Sequence, residues 1–288
     1  MIESYYIFDP IQFKEFGYHF FEGNNFYYRY QLSQKLFWKN IYIPFGPVCQ
    51  TQKGFENFLN HLDNFKFTKI TIDLPAIYNQ KRIQEVVNKL KEHGYKKKPY
   101  IYQDEETIIL LKEHFRLKSE RMNKVRYGYK FSNIVIKNQL KNDEIDKIYK
   151  IYLIAIKRLG FPPKNKDMFK KLSENCLVSL AYSKETNELE GYTFGYILNS
   201  DKADFFDKEK IKILYVMFTG LTDYGRDKKL GHATHYELFN YAFNNYDVDI
   251  IDFHGGSRTK NRSYVSFKQE FSNQFYSLPG SFTKITLI

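Results

Sequence analysis

Two segments of the chain share one layout, and this repetition is the strongest constraint on the fold. Residues 55–73 read as an amphipathic helix, a short polar break and a β-rich run that ends in an acid, and residues 235–252 repeat that order. Turn-separated strand segments precede both. Two copies of one strands–helix–strand unit fit a chain of 288 residues, because domains most often have about 100–150 residues. We therefore expect two domains, at residues 1–130 and 131–288.

Hydrophobic periodicity separates helices from strands elsewhere. Apolar residues recur at helical spacing in residues 80–93 and 143–159, and a glycine follows each segment as a stop signal. Runs rich in β-branched and aromatic residues predict strands at residues 25–31, 39–43, 67–74, 176–183, 191–198, 211–218 and 247–253. Because helices and strands interleave, we predict an α/β or α+β architecture with mixed sheets.

The charge of the chain suggests a polyanionic partner. Lys and Arg number 44 against 33 Asp and Glu, which gives a formal net charge of +11. Nucleic acid, a phosphorylated small molecule and an anionic membrane surface all fit that excess. A Lys-, Asn- and Tyr-rich composition also results from an AT-rich genome, so the charge alone does not choose among them.

Other composition signals exclude several classes of site. The two cysteines, Cys49 and Cys176, lie far apart without a CxxC pattern, so we expect buried thiols rather than a disulfide or a thiolate metal site. His232 and His235 share a helix face, but no third ligand stands at zinc spacing, and we predict no metal. The first residues lack a basic start followed by an apolar run, so we expect a cytoplasmic protein.

One basic loop has a spacing that suits phosphate binding. Residues 224–233 (YGRDKKLGHA) follow a predicted strand and open a helix. GNAT acyltransferases place an R/Q-x-x-G-x-G/A loop at such a junction, where helix N–H groups receive a pyrophosphate. Lys228, Gly231 and Ala233 form a near match to that loop. They are candidates for binding the pyrophosphate of coenzyme A.

Several motifs, taken in order, resemble those of the Fem-type peptidoglycan bridge aminoacyltransferases. The segment YIPFGPV matches the family's Y-I-P-x-G-P-V, and IDFHGG and YVSFKQEF resemble its Y-D-F-G-G and L-Y-x-F-K-x-x-F. Less regular matches occur at residues 12–18, 70–73, 106–110, 124–130, 158–163 and 215–220. Each motif is degenerate alone, and their shared order makes the resemblance specific.

The resemblance implies a fold and an activity. It implies two tandem GNAT-like domains, each a mixed, mostly antiparallel sheet flanked by helices, in the compact form that lacks a coiled-coil arm. The implied reaction transfers an amino acid from aminoacyl-tRNA to an amine of a peptidoglycan precursor's stem peptide, without a cofactor. The implied partners are the aminoacyl-tRNA and a UDP-linked or lipid-linked muropeptide. We expect a monomer, with peripheral association at the inner face of the membrane.

Three residues of the second half match positions on the acyl donor side. Lys268 corresponds to the family lysine that neutralises charge near the tRNA end and the tetrahedral intermediate, and Phe267 beside it counts with the substrate-binding residues. Tyr215, on a strand expected to enter the GNAT cleft, is a candidate for hydrogen bonding the substrate. A role in core packing would explain a tyrosine at position 215 equally well.

Three further residues match the acceptor side. Lys14 and Lys164 correspond to basic positions that hold the acceptor's diphosphate, although each also reads as one surface lysine among many. Asp73, at the end of a strand, is a candidate for accepting the proton of the acceptor amine, or for orienting that amine.

Two other functions stay open at this point. Departures from the family pattern in the middle segment and near residue 160 leave room for an acyl-CoA-dependent N-acyltransferase that acts on an amino sugar or another amine. A non-catalytic module that only binds tRNA or the precursor is the third reading. A charged insertion at residues 201–212 is a further departure from the family pattern, and it bears on the identity of the acceptor.

Overall fold

Two mixed sheets organise the chain. The computed structural model describes residues 19–35, 38–44, 46–49, 51–74, 80–98, 106–160, 163–173, 176–199, 212–253, 263–277 and 280–286. Within these ranges the strands form two seven-stranded sheets, and helices pack against both. The predicted class, two α/β units with mixed, mostly antiparallel sheets, is confirmed.

The first sheet has the order β1-β2-β3-β5-β14-β6, with β4 paired to β2. Its strands are β1 (His19–Gly23), β2 (Phe26–Lys35), β3 (Trp38–Ile43), β4 (Val48–Cys49), β5 (Lys69–Asp73), β6 (Lys96–Lys98) and β14 (Ser281–Ile285). Two helices, α1 (Gln52–Asp63) and α2 (Gln80–Glu92), contribute to one hydrophobic core with this sheet. The strands β3 and β5 run parallel, and the other pairs are antiparallel.

The second sheet has the order β13-β7-β12-β11-β10-β9-β8. Its strands are β7 (Glu106–Leu111), β8 (Ser132–Lys137), β9 (Cys176–Ser183), β10 (Leu189–Asn199), β11 (Lys212–Leu221), β12 (Ile250–Asp252) and β13 (Gln274–Ser277). The helices of this unit are α3 (Ser119–Phe131), α4 (Asn142–Leu159), α5 (Lys166–Leu172), α6 (Asp223–Asp227), α7 (Leu230–Asn245) and α8 (Ser263–Gln269). Here β11 and β12 form the parallel pair.

The first sheet takes one strand from the far end of the chain, since β14 lies between β5 and β6. The second sheet consists of the consecutive strands β7 to β13, and its first strand, β7, lies between β12 and β13. The first sheet is therefore discontinuous in sequence, and the second is continuous. The predicted division into residues 1–130 and 131–288 stays a prediction, although the sheets themselves do not follow it.

The helix and strand of the repeated layout both form where the sequence predicts them. At the start of α1 the Thr51 hydroxyl accepts a hydrogen bond from the Gly54 amide at 3.0 Å, and the apolar stripe of this helix is buried. The repeated layout is confirmed, since α1 leads to β5 as α7 leads to β12. The strand predicted at residues 247–253 is shorter, because Asp247 has a φ of 52° in the turn that precedes β12.

Candidate functional site

A buried carboxylate ends the parallel pair of the first sheet. Asp73 is the last residue of β5 and only 3% exposed, and the Tyr42 hydroxyl of the neighbouring β3 donates a hydrogen bond to its Oδ2 at 2.5 Å. Ser281 pairs with Asp73 across β14. Beside this pair, the hydroxyls of Thr71 and Thr283 lie 3.2 Å apart. The strands therefore bring a polar cluster to one face of the sheet.

The electrostatics of Asp73 favour proton uptake. Burial raises its pKa above the ordinary value, and the Ser281 and Tyr42 hydroxyls oppose that rise. Within the described residues, neither Asp73 Oδ1 nor Ser281 Oγ forms a hydrogen bond of good geometry. A buried carboxylate oxygen without a donor attracts a proton or an ammonium group.

The other face of the same sheet is apolar. Ile70, Ile72 and Phe282 alternate with the polar cluster along β5 and β14, and they pack in the core that contains α1 and α2. Period-2 alternation thus assigns one face to the core and the opposite face to Asp73.

The second unit has an acid at the corresponding place. Asp252 ends β12, is buried, and accepts a hydrogen bond from the Thr107 hydroxyl of β7. Tyr215 of β11 pairs with Asp252, after which β12 ends while β11 continues to Leu221. The pairing of β11 with β12 therefore ends at Tyr215. A register shift at residues 194–195 of β10 distorts the sheet beside this point.

Tyr215 lies in an apolar environment. It is buried in a cluster with Ile109, Ile213 and Ile250. Leu214 and Val216, its neighbours on β11, pack on the opposite face against α7. Tyr215 and the residues of α7 are therefore on different faces of the second sheet.

The predicted donor-side residues meet the start of α7. The Phe267 ring makes edge contacts with the rings of His232 and His235, with centroids 5.0 and 4.9 Å apart. A Cβ at Gly231 would lie 3.0 Å from Leu221 Cδ1, which is a tight contact, and 3.6 Å from the Phe267 ring, which is an ordinary contact distance. The structure thus brings Phe267 and Gly231 together, which their separation in sequence did not predict.

Lys268 and a fully buried histidine share this region. The Lys268 ammonium lies 5.1 Å from the centroid of the Tyr264 ring. Burial lowers the pKa of His235 to about 3; the Gly231 carbonyl opposes this, and the charges of His232 and Lys268 add to it. His235 Nδ1 is 2.7 Å from the Gly231 carbonyl oxygen, and Nε2 is 3.3 Å from the Thr219 hydroxyl. A neutral ring with Nδ1 protonated satisfies both contacts.

A charged cluster holds the end of α8. Glu270 Oε2 accepts from the Lys124 ammonium at 2.5 Å and lies 3.1 Å from His232 Nε2. Burial raises the pKa of Glu270, but the Lys124 and His232 contacts outweigh it and the pKa is lowered. Because Glu270 follows Lys268 by two residues, this cluster fixes the helix end that carries Lys268.

The basic loop predicted for pyrophosphate is packed by protein. The Lys228 ammonium is 3.1 Å from the Asp227 carboxylate and 4.8 Å from the centroid of the Phe131 ring. Ala233 meets α3, where a Cβ at Gly128 would lie 2.9 Å from the Ala233 Cβ. All three residues of the motif, Lys228, Gly231 and Ala233, therefore lie against other described residues.

The remaining predicted residues are separate from these clusters or outside them. The Lys164 backbone is held by α4, since its amide donates to the Tyr152 hydroxyl and its carbonyl accepts from the Tyr149 hydroxyl, both at 2.9 Å. Its side chain is exposed. Lys14 lies outside the described residues.

The described ranges contain neither a metal-binding cluster nor a membrane-spanning helix. No group of three His, Cys, Asp or Glu side chains lies close enough to hold a metal ion. No helix in this part of the chain is long and apolar enough to cross a membrane. Cys49 and Cys176 are both buried, as predicted.

Sequence reasoning missed three residues of these clusters. Tyr42 lies within a motif, but its contact with Asp73 depends on the parallel register of β3 and β5. Asp252 was visible as the acid that ends the second copy of the repeat. Glu270 had one available signal, its spacing two residues after Lys268.

Comparisons with known proteins concern the fold. No protein-family model matches the chain, and no curated protein matches it. The crystal structure of FemX matches with a TM-score of 0.72 and 13% sequence identity, over 95% of this chain and 90% of that one. L-PGS from Bacillus licheniformis matches with a TM-score of 0.61 and 9% identity, over 93% and 84% of the two chains.

A third match is the C-terminal domain of a putative lysylphosphatidylglycerol synthetase from Agrobacterium fabrum. Its TM-score is 0.62 at 9% identity, over 93% of this chain and 83% of that one. At such identities the likeness concerns backbone architecture. The chain therefore has the Fem-type double GNAT-like fold that its motifs predict, shared over nearly its whole length with FemX.

Proposed function

We propose that this protein is a tRNA-dependent aminoacyltransferase that acylates an amine of a peptidoglycan precursor's stem peptide. The observation that carries the proposal is Asp73, a buried carboxylate whose Oδ1 forms no hydrogen bond within the described residues and whose pKa burial raises. Such a group binds an acceptor amine and takes its proton during attack. The shared fold with FemX supports this reading.

The reaction is aminolysis of an ester. The acceptor nitrogen attacks the aminoacyl carbonyl carbon, a C–N bond forms, and the ester C–O bond to the tRNA ribose breaks. Asp73 takes one proton from the nitrogen, the leaving ribose oxygen takes up one proton from solvent, and Asp73 returns to the carboxylate by releasing its proton to solvent. In the proposal, Lys268 of the second unit stabilises the negative charge that develops on the donor side. Its fixed helix end, held through Glu270, supports that role.

The charge of the chain supports a tRNA donor. A net charge of +11 gives a diffuse attraction to RNA phosphates, which weakens steeply with salt. Lys164, whose backbone is fixed by Tyr149 and Tyr152, presents an exposed side chain suited to a diphosphate of the acceptor. The proposed acceptor is UDP-linked or lipid-linked, since both forms carry that diphosphate.

Contacts within the basic loop weigh against an acyl-CoA donor. Lys228 is paired with Asp227 and lies over the Phe131 ring, and Gly231 packs against Phe267. To contact a pyrophosphate there, the Lys228 ammonium would have to leave the Asp227 carboxylate. These contacts favour the tRNA donor in our proposal, and the match of Lys228, Gly231 and Ala233 to a pyrophosphate loop stays a prediction.

The direct test is transfer. The protein is incubated with a pool of charged tRNAs and UDP-linked muropeptide, and mass spectrometry looks for the peptide plus one amino acid residue. A parallel reaction replaces the tRNAs with acyl-CoA thioesters. We expect the added residue only with tRNA. Binding of tRNA without any product would assign the chain to the non-catalytic module.

Two variants distinguish the donors. Lys268→Met is expected to reduce transfer from aminoacyl-tRNA, whereas Lys228→Glu is expected to leave it close to wild type. If Lys228→Glu abolished transfer and Lys268→Met did not, the proposed donor side would be wrong.

A further inference from the structure

Exposed apolar residues collect at one end of the first sheet. The β2–β3 hairpin pairs as far as Lys35 and Trp38, whereas the pairing of β3 with β5 begins only at Asn40. The pair formed by Lys35 and Trp38 therefore lies past the end of the neighbouring strand. Trp38 is 50% exposed, and Leu32, which pairs with Ile41 further along β2, is 51% exposed. Exposed apolar side chains of this size are costly in water unless a partner covers them.

Two more apolar side chains lie at the same end. Ile285 is 60% exposed and pairs with Lys69, which pairs with Asn40 on its other side. Phe65 is 38% exposed and precedes β5 in the connection from α1. The backbone amide of Thr68 donates to the Lys39 carbonyl, which joins this connection to the hairpin. The four residues Leu32, Trp38, Phe65 and Ile285 are called the apolar end below.

Lysines are interspersed with the apolar end. Lys39, Lys66 and Lys69 are exposed, and none forms an ion pair within the described residues. The nearby acid, Asp63, is bonded to Lys284 and His93, at 2.7 Å in each case. The charge at this end of the sheet is therefore positive.

We propose that the apolar end docks on an anionic lipid bilayer. Trp at the interface, aliphatic side chains beside it and lysines around them are the combination that membrane-surface proteins use. Single-stranded RNA is a poorer fit, because bases stack on aromatic or Arg side chains, while Leu32 and Ile285 are aliphatic and the cations are lysines. A second copy would oppose one positive surface to another.

The docking has a consequence for the acceptor, and this step alone rests on the proposed function. Asp73 is four residues along β5 from Lys69, which is about 13 Å at the usual rise of a strand. A bilayer that contacts Lys69 would therefore leave Asp73 near the headgroup layer. That geometry favours a lipid-linked acceptor over a soluble one.

The single Trp of the chain is Trp38, so its fluorescence reports on this surface without interference. The full-length protein is titrated with vesicles of phosphatidylcholine alone and of phosphatidylcholine with about one third phosphatidylglycerol. We expect a blue shift of Trp38 emission, and quenching by brominated acyl chains, only with the anionic vesicles.

Matched variants separate the contribution of the apolar side chains to vesicle binding from that of the lysines. Leu32→Thr with Ile285→Thr is expected to weaken vesicle binding about tenfold, whereas Leu153→Gln with Ile154→Gln, which removes exposed apolar residues of α4, leaves it unchanged. Lys39→Gln with Lys69→Gln should cost about fivefold per lysine. Lys147→Gln with Lys150→Gln lowers the net charge equally and serves as its control.

Several results would overturn the proposal. The proposal is wrong if anionic vesicles leave Trp38 emission unchanged. It is also wrong if the variant Leu32→Thr with Ile285→Thr binds vesicles as well as the wild type. A shift with tRNA but not with vesicles assigns the surface to RNA, and a shift on raising protein concentration alone assigns it to a second copy. Because vesicle binding needs no turnover, the result is independent of the transfer assay.

Discussion

The two units place an acid at the same position and surround it differently. In the first unit, Asp73 has the Tyr42 hydroxyl on Oδ2, while its Oδ1 has no hydrogen bond within the described residues. In the second, Asp252 accepts from Thr107 and pairs with Tyr215, which lies among isoleucines. One layout of helix and strand thus places threonines beside the acid of the first unit, and isoleucines beside the strand end of the second.

This difference shows that the same backbone position can have different surroundings in the two units. The backbone fixes where the parallel strands end, and so where a strand-end acid stands. The residues around the acid, on its own strand and on the adjacent one, decide what that acid can do; they are Thr71 and Thr283 in one unit and Ile213 and Ile250 in the other. Proton chemistry is favoured where polar partners leave one oxygen without a donor.

Asp73→Asn tests the comparison with the largest expected effect. Asn keeps the shape and the Tyr42 contact but cannot take a proton, so single-turnover transfer should fall about a thousandfold. Asp252→Asn is the matched control and should cost less than about tenfold. Equal losses in the two variants would mean that the units do not differ in role, and near wild-type transfer in Asp73→Asn would remove Asp73 from the chemistry.

Acid should destabilise the second unit through His235. Its folded pKa of about 3 lies below the ordinary value of 6.5, so between those values the unfolded chain binds the extra proton. Stability is therefore complete above about pH 6.5 and falls as the pH drops, by about 2 kcal/mol at pH 5. Urea unfolding followed by circular dichroism at pH 7 and pH 5 measures the loss.

His235→Gln is the control for that loss, since it removes the titrating ring and should flatten the pH dependence. Hydrogen exchange at pH 5 then locates the effect: amides of β10 and β11 should lose protection before those of β3 and β5. If the first sheet opened earlier, or if His235→Gln kept the full slope, another group would be responsible.

Tyr42→Phe should reduce transfer about tenfold, the usual effect of losing one hydrogen bond to a charged group. The Tyr42 hydroxyl helps to hold down the pKa of Asp73, so its loss raises that pKa further. The acid limb of kcat/KM should therefore move to higher pH. Tyr215→Phe, at the paired position of the second unit, should leave the limb in place; a shift there instead would reverse the assignment of roles.

Local signals predicted the elements better than their assembly. The helices α2 and α4 follow from helical periodicity, because each has one apolar stripe. The strand β9 follows from its run of strand-forming residues, nearly all of which are buried. The sequence Lys96–Lys98 has no strand signal, and it forms β6 only because β14 pairs with it. The pairing of β7 with β12 and of β14 with β5 depends on contacts across more than a hundred residues, which no local pattern encodes.

The same limit applied to the candidate site. Asp73 was identifiable because it ends a strand, and Phe267 and Lys268 because they lie in a motif. The contact of Tyr42 with Asp73 spans 31 residues and that of Lys124 with Glu270 spans 146. Both require the register of the folded sheets. Long-range partners were therefore the part of the site that sequence could not supply.

Glu270→Gln gives the smallest effect and tests whether the second unit acts on the donor. The variant keeps the shape of Glu270 but loses its charge-assisted contacts with Lys124 and His232, so the helix end that carries Lys268 loosens. We expect kcat for transfer to fall about fivefold with KM for aminoacyl-tRNA unchanged, because Lys268 acts on charge that develops only during the reaction. In a double-mutant cycle, Lys124→Met should add little to Glu270→Gln, because both remove one contact. Full additivity, or a rise in KM alone, would show that Glu270 does not act by positioning Lys268, and would leave the donor side of the comparison without its support.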